Sequence, residues 1–249
     1  MIAVNYHQEI AIVKLSRGIT NALNLELIQS LRAIIRQIRE DANICGLVLS
    51  SSNDKFFSIG FDIPQLFDLK QQDFEHFYTT FNQTCLDLYT LPKPTVAAIT
   101  GHAVAGGCII TLCCDYRIIA EGRKLMGLNE VKLGVPIPYP ADCILHDLVG
   151  TKHAHKIITS GEFFPPQESL RLGLVDRILL SEQVLPEAIQ MIKSLGDSPQ
   201  ETFAIIKRKR VCQVEAQVLD QLEKKQRHFV DCWYSLEARQ KLKEAMEKY

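Results

Sequence analysis

The residues with the most legible chemistry lie between Pro94 and Ala120. Thr95 to Thr100 is a short β-branched run, nearly free of charge, that ends at Gly101 and reads as a buried strand. Ala105-Gly106-Gly107 then leads into Cys108 to Cys114, an apolar run of about two helical turns. Asp115 closes that run, and Tyr116 to Ala120 has the pattern of the next strand. The first turn of such a helix carries backbone N–H groups with no partner inside it. Gly106 and Gly107 have no Cβ, so another molecule can come close to those donors. The positive end of the helix dipole faces the same way. These are the requirements of an oxyanion or anion site. The alternative is that two glycines let a helix pack tightly on a strand. Taken alone, the diglycine leaves both open.

Three further stretches accompany it: Asn21-Ala22-Leu23-Asn24, the run Lys-Phe-Phe-Ser-Ile-Gly-Phe-Asp-Ile-Pro-Gln-Leu from Lys55 to Leu66, and Leu-Asn-Glu-Val-Lys-Leu-Gly from Leu128 to Gly134. In this order, and over essentially the whole chain, the set resembles the crotonase superfamily, also called the enoyl-CoA hydratase/isomerase family. The resemblance implies an α/β fold of repeated ββα units with a helical C-terminal region. It divides the chain into a core over 1–195 and a trimerisation region over 196–249, assembled as a homotrimer or a dimer of trimers. It implies an acyl-CoA thioester ligand whose coenzyme A is part of the substrate, with no separate cofactor and no metal. The thioester oxygen would accept from two backbone N–H groups, those of Phe61 and Gly106. Loss of one such donor costs about 3 kcal/mol of transition-state stabilisation. Residues implied to line the substrate are Ala22, Leu23, Ser58, Ile59, Gly60, Asp62, Ile63, Gly107, Ile109 and Asn129. Many family members carry a small residue where Ile59 stands.

Family hydratases place two glutamates across the double bond. The first lies three residues beyond the second oxyanion glycine, one turn along the same helix face; here that position is Ile109. The second maps to Glu130. Hydration benefits from one group that activates water and another that handles the proton, and this chain supplies one carboxylate. A single base suffices to move a double bond from the 3- to the 2-position of an enoyl-CoA. Asn129-Glu130 followed by Leu133-Gly134 is similar to the Δ3,Δ2-enoyl-CoA isomerases of that family, as is Phe163 to Asp176. So are the three prolines, with no glycine, between Val135 and Pro140. The expectation is an enoyl-CoA isomerase with Glu130 as base. The competing readings are a surface carboxylate paired with Lys124 or Lys132, a hydratase-like or other enolate enzyme (decarboxylase or thioester hydrolase), and a silent acyl-CoA- or RNA-binding protein.

The elements that must hold these residues follow from periodicity. Ile2 to Tyr6 and Ile10 to Leu15 alternate around His7-Gln8 as a hairpin. Asn24 caps a helix with Leu27, Ile28, Leu31, Ile34, Ile35 and Ile38 on one face. Ile44 to Ser50 is a second buried strand, so the order β, α, β predicts a parallel crossover. Asp62 caps a short helix through Leu69. Phe74, Phe77, Tyr78, Phe81, Cys85, Leu88 and Tyr89 form an aromatic-rich core stripe. Helices are expected over 141–149, 151–159, 166–172, 182–195 and 200–208, with a strand over 173–179. A long amphipathic stretch, Val211 to Lys248, breaks near Ser235. Its residues Phe229, Trp233, Leu236 and Leu242 are expected to bury apolar surface within the chain or between subunits.

With 249 residues and 47% hydrophobic composition, one large domain can bury a substantial core. Lysine plus arginine number 28 against 29 acidic residues, which carries no polycationic signature for nucleic acid. Eight cysteines without a Cys-x-x-Cys pair point to reduced, mostly buried thiols. No apolar stretch approaches the ~20 residues of a membrane span, and the chain opens directly on a strand pattern, so a cytoplasmic location is expected. Arg17 and Lys55 are candidates for a CoA phosphate contact or plain solvated side chains. The resemblance puts Lys248 where relatives reach a neighbouring subunit's CoA. Lys207 to Arg210 reads as a solvated helix end, His102 as a structural residue, and His153 and His155 diverge on their helix.

Overall fold

The computed structural model describes residues 1–196 and 199–247; Lys248 lies outside them. Strands β1 (Ile2–His7) and β2 (Ile10–Leu15) form the expected antiparallel hairpin, with Ile2 opposite Leu15. Helix α1 (Leu25–Glu40) starts where the Asn24 side-chain oxygen accepts from the Leu27 N–H at 3.0 Å. It buries Leu27, Ile28, Leu31, Ile35 and Ile38 and returns the chain to β3 (Gly46–Ser51), parallel to β2.

From β3 onward the chain repeats one path. The first turn is β3, β4 (Phe56–Ser58), α2 (Ile63–Phe67) and α3 (Gln71–Tyr89). The second is β5 (Thr95–Ile99), β6 (His102–Val104) and α4 (Gly106–Leu112). The third is β7 (Tyr116–Ala120), β8 (Met126–Gly127), a 3-10 turn over Glu130–Leu133 and α5 (Tyr139–Ser160). There follow β9 (Phe163–Phe164), α6 (Pro166–Leu172), β10 (Arg177–Leu179), α7 (Ser181–Gly196), α8 (Gln200–Trp233) and α9 (Leu236–Met246). The first strand of each turn joins a six-stranded sheet of order β1-β2-β3-β5-β7-β10, and the second joins a four-stranded sheet of order β4-β6-β8-β9.

Both faces of the larger sheet are covered. Ile10, Ile12, Val48, Val96, Ala98, Ile118 and Ala120 meet Val184, Ala188 and Ile192 of α7. The alternate residues Ala11, Val13, Leu15, Leu47, Leu49, Ala97, Ile99 and Ile119 face the main core, as the two-residue period of a strand requires. Double coverage explains why these strands read as continuous apolar runs.

The two helices expected over 141–149 and 151–159 are present and meet at a kink inside α5, where Gly150 has φ 73° and ψ 161°, neither of them helical. Several other expectations are corrected. Gly173 is the left-handed C-cap of α6, so the strand expected from 173 begins only at Arg177. No break follows Arg208: α8 runs unbroken from Gln200 to Trp233 and carries Phe229 and Trp233 into the chain's own core, whereas Leu236 is exposed. The basic run lies within α8 and not at a helix end; Arg208, Lys209 and Arg210 are exposed, but Lys207 is not. Lys207 is 3% exposed, and its Nζ donates to Asp115 Oδ2 at 2.7 Å and to the Lys93 carbonyl at 3.0 Å. Arg210 pairs with the other Asp115 oxygen. Asp115 also accepts from the Thr95 N–H and hydroxyl, each at 2.9 Å. This buried cluster fastens α8 to β5.

Removing one member of a buried ion pair strands the other charge. Lys207→Ala is therefore expected to lower unfolding stability by about 3 kcal/mol in denaturant titration. A change below about 1 kcal/mol would show that Arg210 and Thr95 alone satisfy Asp115.

Candidate active site

Strands β4, β6 and β8 are parallel neighbours, so their C-terminal ends open on one edge of the smaller sheet. The segments that leave those ends carry, in order, Phe61, Gly106 and Glu130. Each repeat thus delivers one piece of the site to the same place.

The turn after β4 is hydrogen-bonded almost to completion. The Ile59 N–H donates to the Thr20 carbonyl at 3.1 Å, Gly60 N–H to Ser58 Oγ at 3.1 Å, and Asp62 N–H to the Leu23 carbonyl at 2.9 Å. The Gly60 carbonyl in turn accepts from Leu23 N–H at 2.8 Å. Among the described residues, the Phe61 N–H is left without an acceptor. Gly106 opens α4 and is likewise free, as the first turn of a helix dictates. A Cβ on Gly60 would lie 2.8 Å from the Gly106 nitrogen, so the two segments are in direct contact. Ala105 before it has φ 48° and ψ −127°, a conformation costly for any residue with a Cβ, of order 1–3 kcal/mol. It is held by Ala105 N–H to the Gly127 carbonyl at 2.8 Å and Ile109 N–H to the Ala105 carbonyl at 3.0 Å.

Glu130 starts the 3-10 turn and is 6% exposed. Its Oε2 is buried without a hydrogen-bond partner, and among the described residues it forms no ion pair. Lys124, one of the partners considered for it, donates instead to the Asp54 carbonyl at 2.7 Å. Burial pushes the Glu130 carboxyl up to about 7, against the pull of the backbone N–H groups at Glu130 and Asn129.

These groups share a cavity with about 50 Å³ of room, inside a concavity of about 550 Å³ that includes its open mouth. Of the residues named from sequence, Ile59, Phe61, Ile63, Gly106, Asn129 and Glu130 line it. The others stand behind the wall. Ser58 Oγ donates to the Asn21 carbonyl at 2.8 Å, and Gly60 and Gly107 are the points of close backbone approach. Ala22 and Leu23 are buried, with Leu23 clamping the Phe61 turn. Asp62 caps α2 and pairs with Arg17 at 2.7 Å. Arg17, expected in solvent or on a phosphate, also donates to the Ala22 carbonyl at 2.9 Å. Ile109 is 1% exposed and belongs to the core cluster. The wall also contains Ala105, Leu133, Val135, Pro138, Phe229, Trp233 and Ala245. Phe229 and Trp233, four apart, have a spacing that marks a buried helix face but does not mark a contribution to the site.

Among the described residues, no helix is long and apolar enough to cross a membrane, and no three His, Cys, Asp or Glu side chains gather as a metal site. Six of the eight cysteines are buried, and Cys212 is exposed.

Residues 5–249 match the enoyl-CoA hydratase/isomerase family. The chain is 32% identical over 184 residues to human mitochondrial enoyl-CoA delta isomerase 1, covering 74% of this chain and 61% of the human protein. It is 28% identical over 187 residues to the crotonyl-CoA hydratase of Syntrophomonas wolfei, covering 75% and 72% of the two chains. The crystal structure of human mitochondrial delta3-delta2-enoyl-CoA isomerase superposes with a TM-score of 0.95 at 26% identity, over 99% of this chain and 97% of that one. With the spiral of paired strands and the site at their ends, this establishes that the chain belongs to the enoyl-CoA hydratase/isomerase, or crotonase, family.

Proposed function

We propose that the protein is an enoyl-CoA isomerase that moves the double bond of a 3-enoyl-CoA into conjugation at the 2-position, with Glu130 as its only base. The thioester oxygen accepts from the Phe61 and Gly106 N–H groups, which stabilises negative charge there and acidifies C2. Glu130 removes a C2 proton, and the electron pair spreads onto the thioester oxygen as a dienolate. The carboxylic acid so formed returns a proton to C4, which leaves the 2-enoyl thioester and regenerates the carboxylate. The observation that carries this is that, among the described residues lining the cavity, Glu130 is the single acid or base side chain. Ile109, where a second glutamate would stand, is apolar and packed in the core.

A hydratase is the second candidate, favoured by the similarity to a crotonyl-CoA hydratase. Among the described residues of the wall, Asn129 is the side chain beside Glu130 that could supply hydration with a second polar group. Purified protein offered a 3-enoyl-CoA and crotonyl-CoA should isomerise the first faster than it hydrates the second. The opposite order overturns the assignment.

Because the base must be ionised, kcat/KM for isomerisation should rise with pH through about 7 and level off above it. A flat profile between pH 5 and 9 would remove Glu130 as the base. Stability runs the other way. A carboxyl whose pKa is raised on folding binds its proton more tightly in the native state, so stability falls as pH rises from the unfolded value through about 7. Glu130→Gln should therefore cut isomerase activity by about 100-fold or more while raising stability at pH 8 by up to about 3 kcal/mol. The stability gain should vanish near pH 4. A variant with full activity, or one less stable at pH 8, contradicts a strained catalytic carboxylate.

The same reading takes the exposed apolar residues Ile205, Ile206 and Leu219 of α8 and Leu236 of α9 as surface covered in a homotrimer or a dimer of trimers. Light scattering should report one of these, and a stable monomer at micromolar concentration would exclude both.

A further inference from the structure

The cavity wall includes two aromatic rings, Phe229 and Trp233, that are packed against other rings. Phe229 is 2% exposed and Trp233 1%. The Phe229 ring stacks on Tyr78 with centroids 4.0 Å apart, and the Trp233 ring stacks on Phe74 at 4.4 Å. The end of α8 is pinned beside them, because Tyr234 Oη donates to the Leu69 carbonyl at 2.8 Å. Phe61 is wedged edge-on against Phe77 and Phe81 at 4.9 and 4.8 Å, so the wall next to the oxyanion donor is equally fixed. Ile59 and Ile63 narrow the same space with branched side chains.

About 50 Å³ of enclosed room is space for a few waters at most, little beside the volume of a long alkyl tail. A long alkyl tail would need the stacked rings to separate. Interiors packed at crystal-like density do not yield such space without loss of contact energy.

We propose that Phe229 and Trp233 form the end wall of the acyl pocket and restrict this protein to short acyl thioesters, of about four to six carbons. The catalytic side of this inference rests on the isomerase assignment, but the pocket itself can be tested by binding alone. Each added methylene that enters an apolar pocket should tighten binding about fourfold.

The experiment is calorimetric titration of the full chain with butyryl-, hexanoyl-, octanoyl- and decanoyl-CoA, which are saturated and not turned over as enoyl substrates. Affinity should increase from butyryl to hexanoyl and then stop increasing, with decanoyl-CoA no tighter than hexanoyl-CoA. Decanoyl-CoA binding tighter than hexanoyl-CoA overturns the end wall. Trp233→Leu should raise the ratio of decanoyl to hexanoyl affinity at least tenfold, with folding checked by near-UV circular dichroism. Phe229→Leu serves where the tryptophan variant does not fold. An unchanged ratio in the folded variant also overturns the assignment of the wall. Turnover separates the two ideas: a short-chain binding profile without isomerisation of any 3-enoyl-CoA removes the isomerase and leaves the pocket. Isomerisation that is fastest on twelve-carbon substrates removes the pocket limit and leaves the isomerase.

Discussion

Gly107 sits so close to the Ser58 backbone that an added Cβ would lie 2.3 Å from its carbonyl oxygen, and one on Gly60 would lie 2.8 Å from the Gly106 nitrogen. No side chain fits into either gap. The contact is backbone against backbone, and it fixes the end of β4 against the start of α4. Two amide donors from different turns of the chain are thereby held together, without a flexible side chain in between. Donors fixed in this way lose little in reorganisation when charge develops in front of them. The strain at Ala105 belongs to the same arrangement: its positive φ lets α4 begin immediately after β6. The cost is carried by the strand pairing on both sides and by the Gly127 carbonyl that accepts from Ala105.

The repeat explains why a third component arrives at the same spot. β8 follows β6 in the smaller sheet as β6 follows β4, so whatever leaves β8 emerges beside the two donors. What leaves it is a tight 3-10 turn that buries Glu130, with the Val135 N–H donating to the Glu130 carbonyl at 3.2 Å. An apolar setting disfavours the charged carboxylate and raises its affinity for a proton. The frame is common ground for hydratase and isomerase chemistry. One turn beyond Gly106 on α4, Ile109 contributes packing and no charge.

Much of this was legible in the residues. The diglycine, the Asn24 and Asp62 caps, the hairpin and the aromatic stripe each have a local physical cause that acts within a few residues. The Phe61, Gly106 and Glu130 set came from ordered motifs, and the fold brings all three to one cavity. What could not be read locally was long-range. Lys207 sits in a run of four basic residues that looks solvated, yet it is neutralised by Asp115, which lies 92 positions away in sequence. Arg17 is similarly taken up by Asp62 and the Ala22 carbonyl. Phe229 and Trp233 have the spacing of any buried helix face. Nothing within α8 distinguishes a wall of the site from ordinary core.

Helix α8 ties these long-range features together. Lys207 anchors it beside β5, and 26 residues later Trp233 closes the cavity, a span of about 39 Å at helical rise. Beyond Trp233, Tyr234 bonds the Leu69 carbonyl, and Arg239 of α9 lies 3.3 Å over the Phe67 ring and donates to the Phe67 carbonyl at 2.7 Å. Both α2 and the start of α3 are therefore held by the same C-terminal segment that supplies Phe229, Trp233 and Ala245 to the wall. A shift of α8 along its axis would have to break the buried Asp115 cluster at one end or unstack four aromatic rings at the other. The rigidity of this side of the cavity is thus a property of the helix's two fixed ends, and Glu130 lines the same cavity as a wall that the rest of the fold holds still.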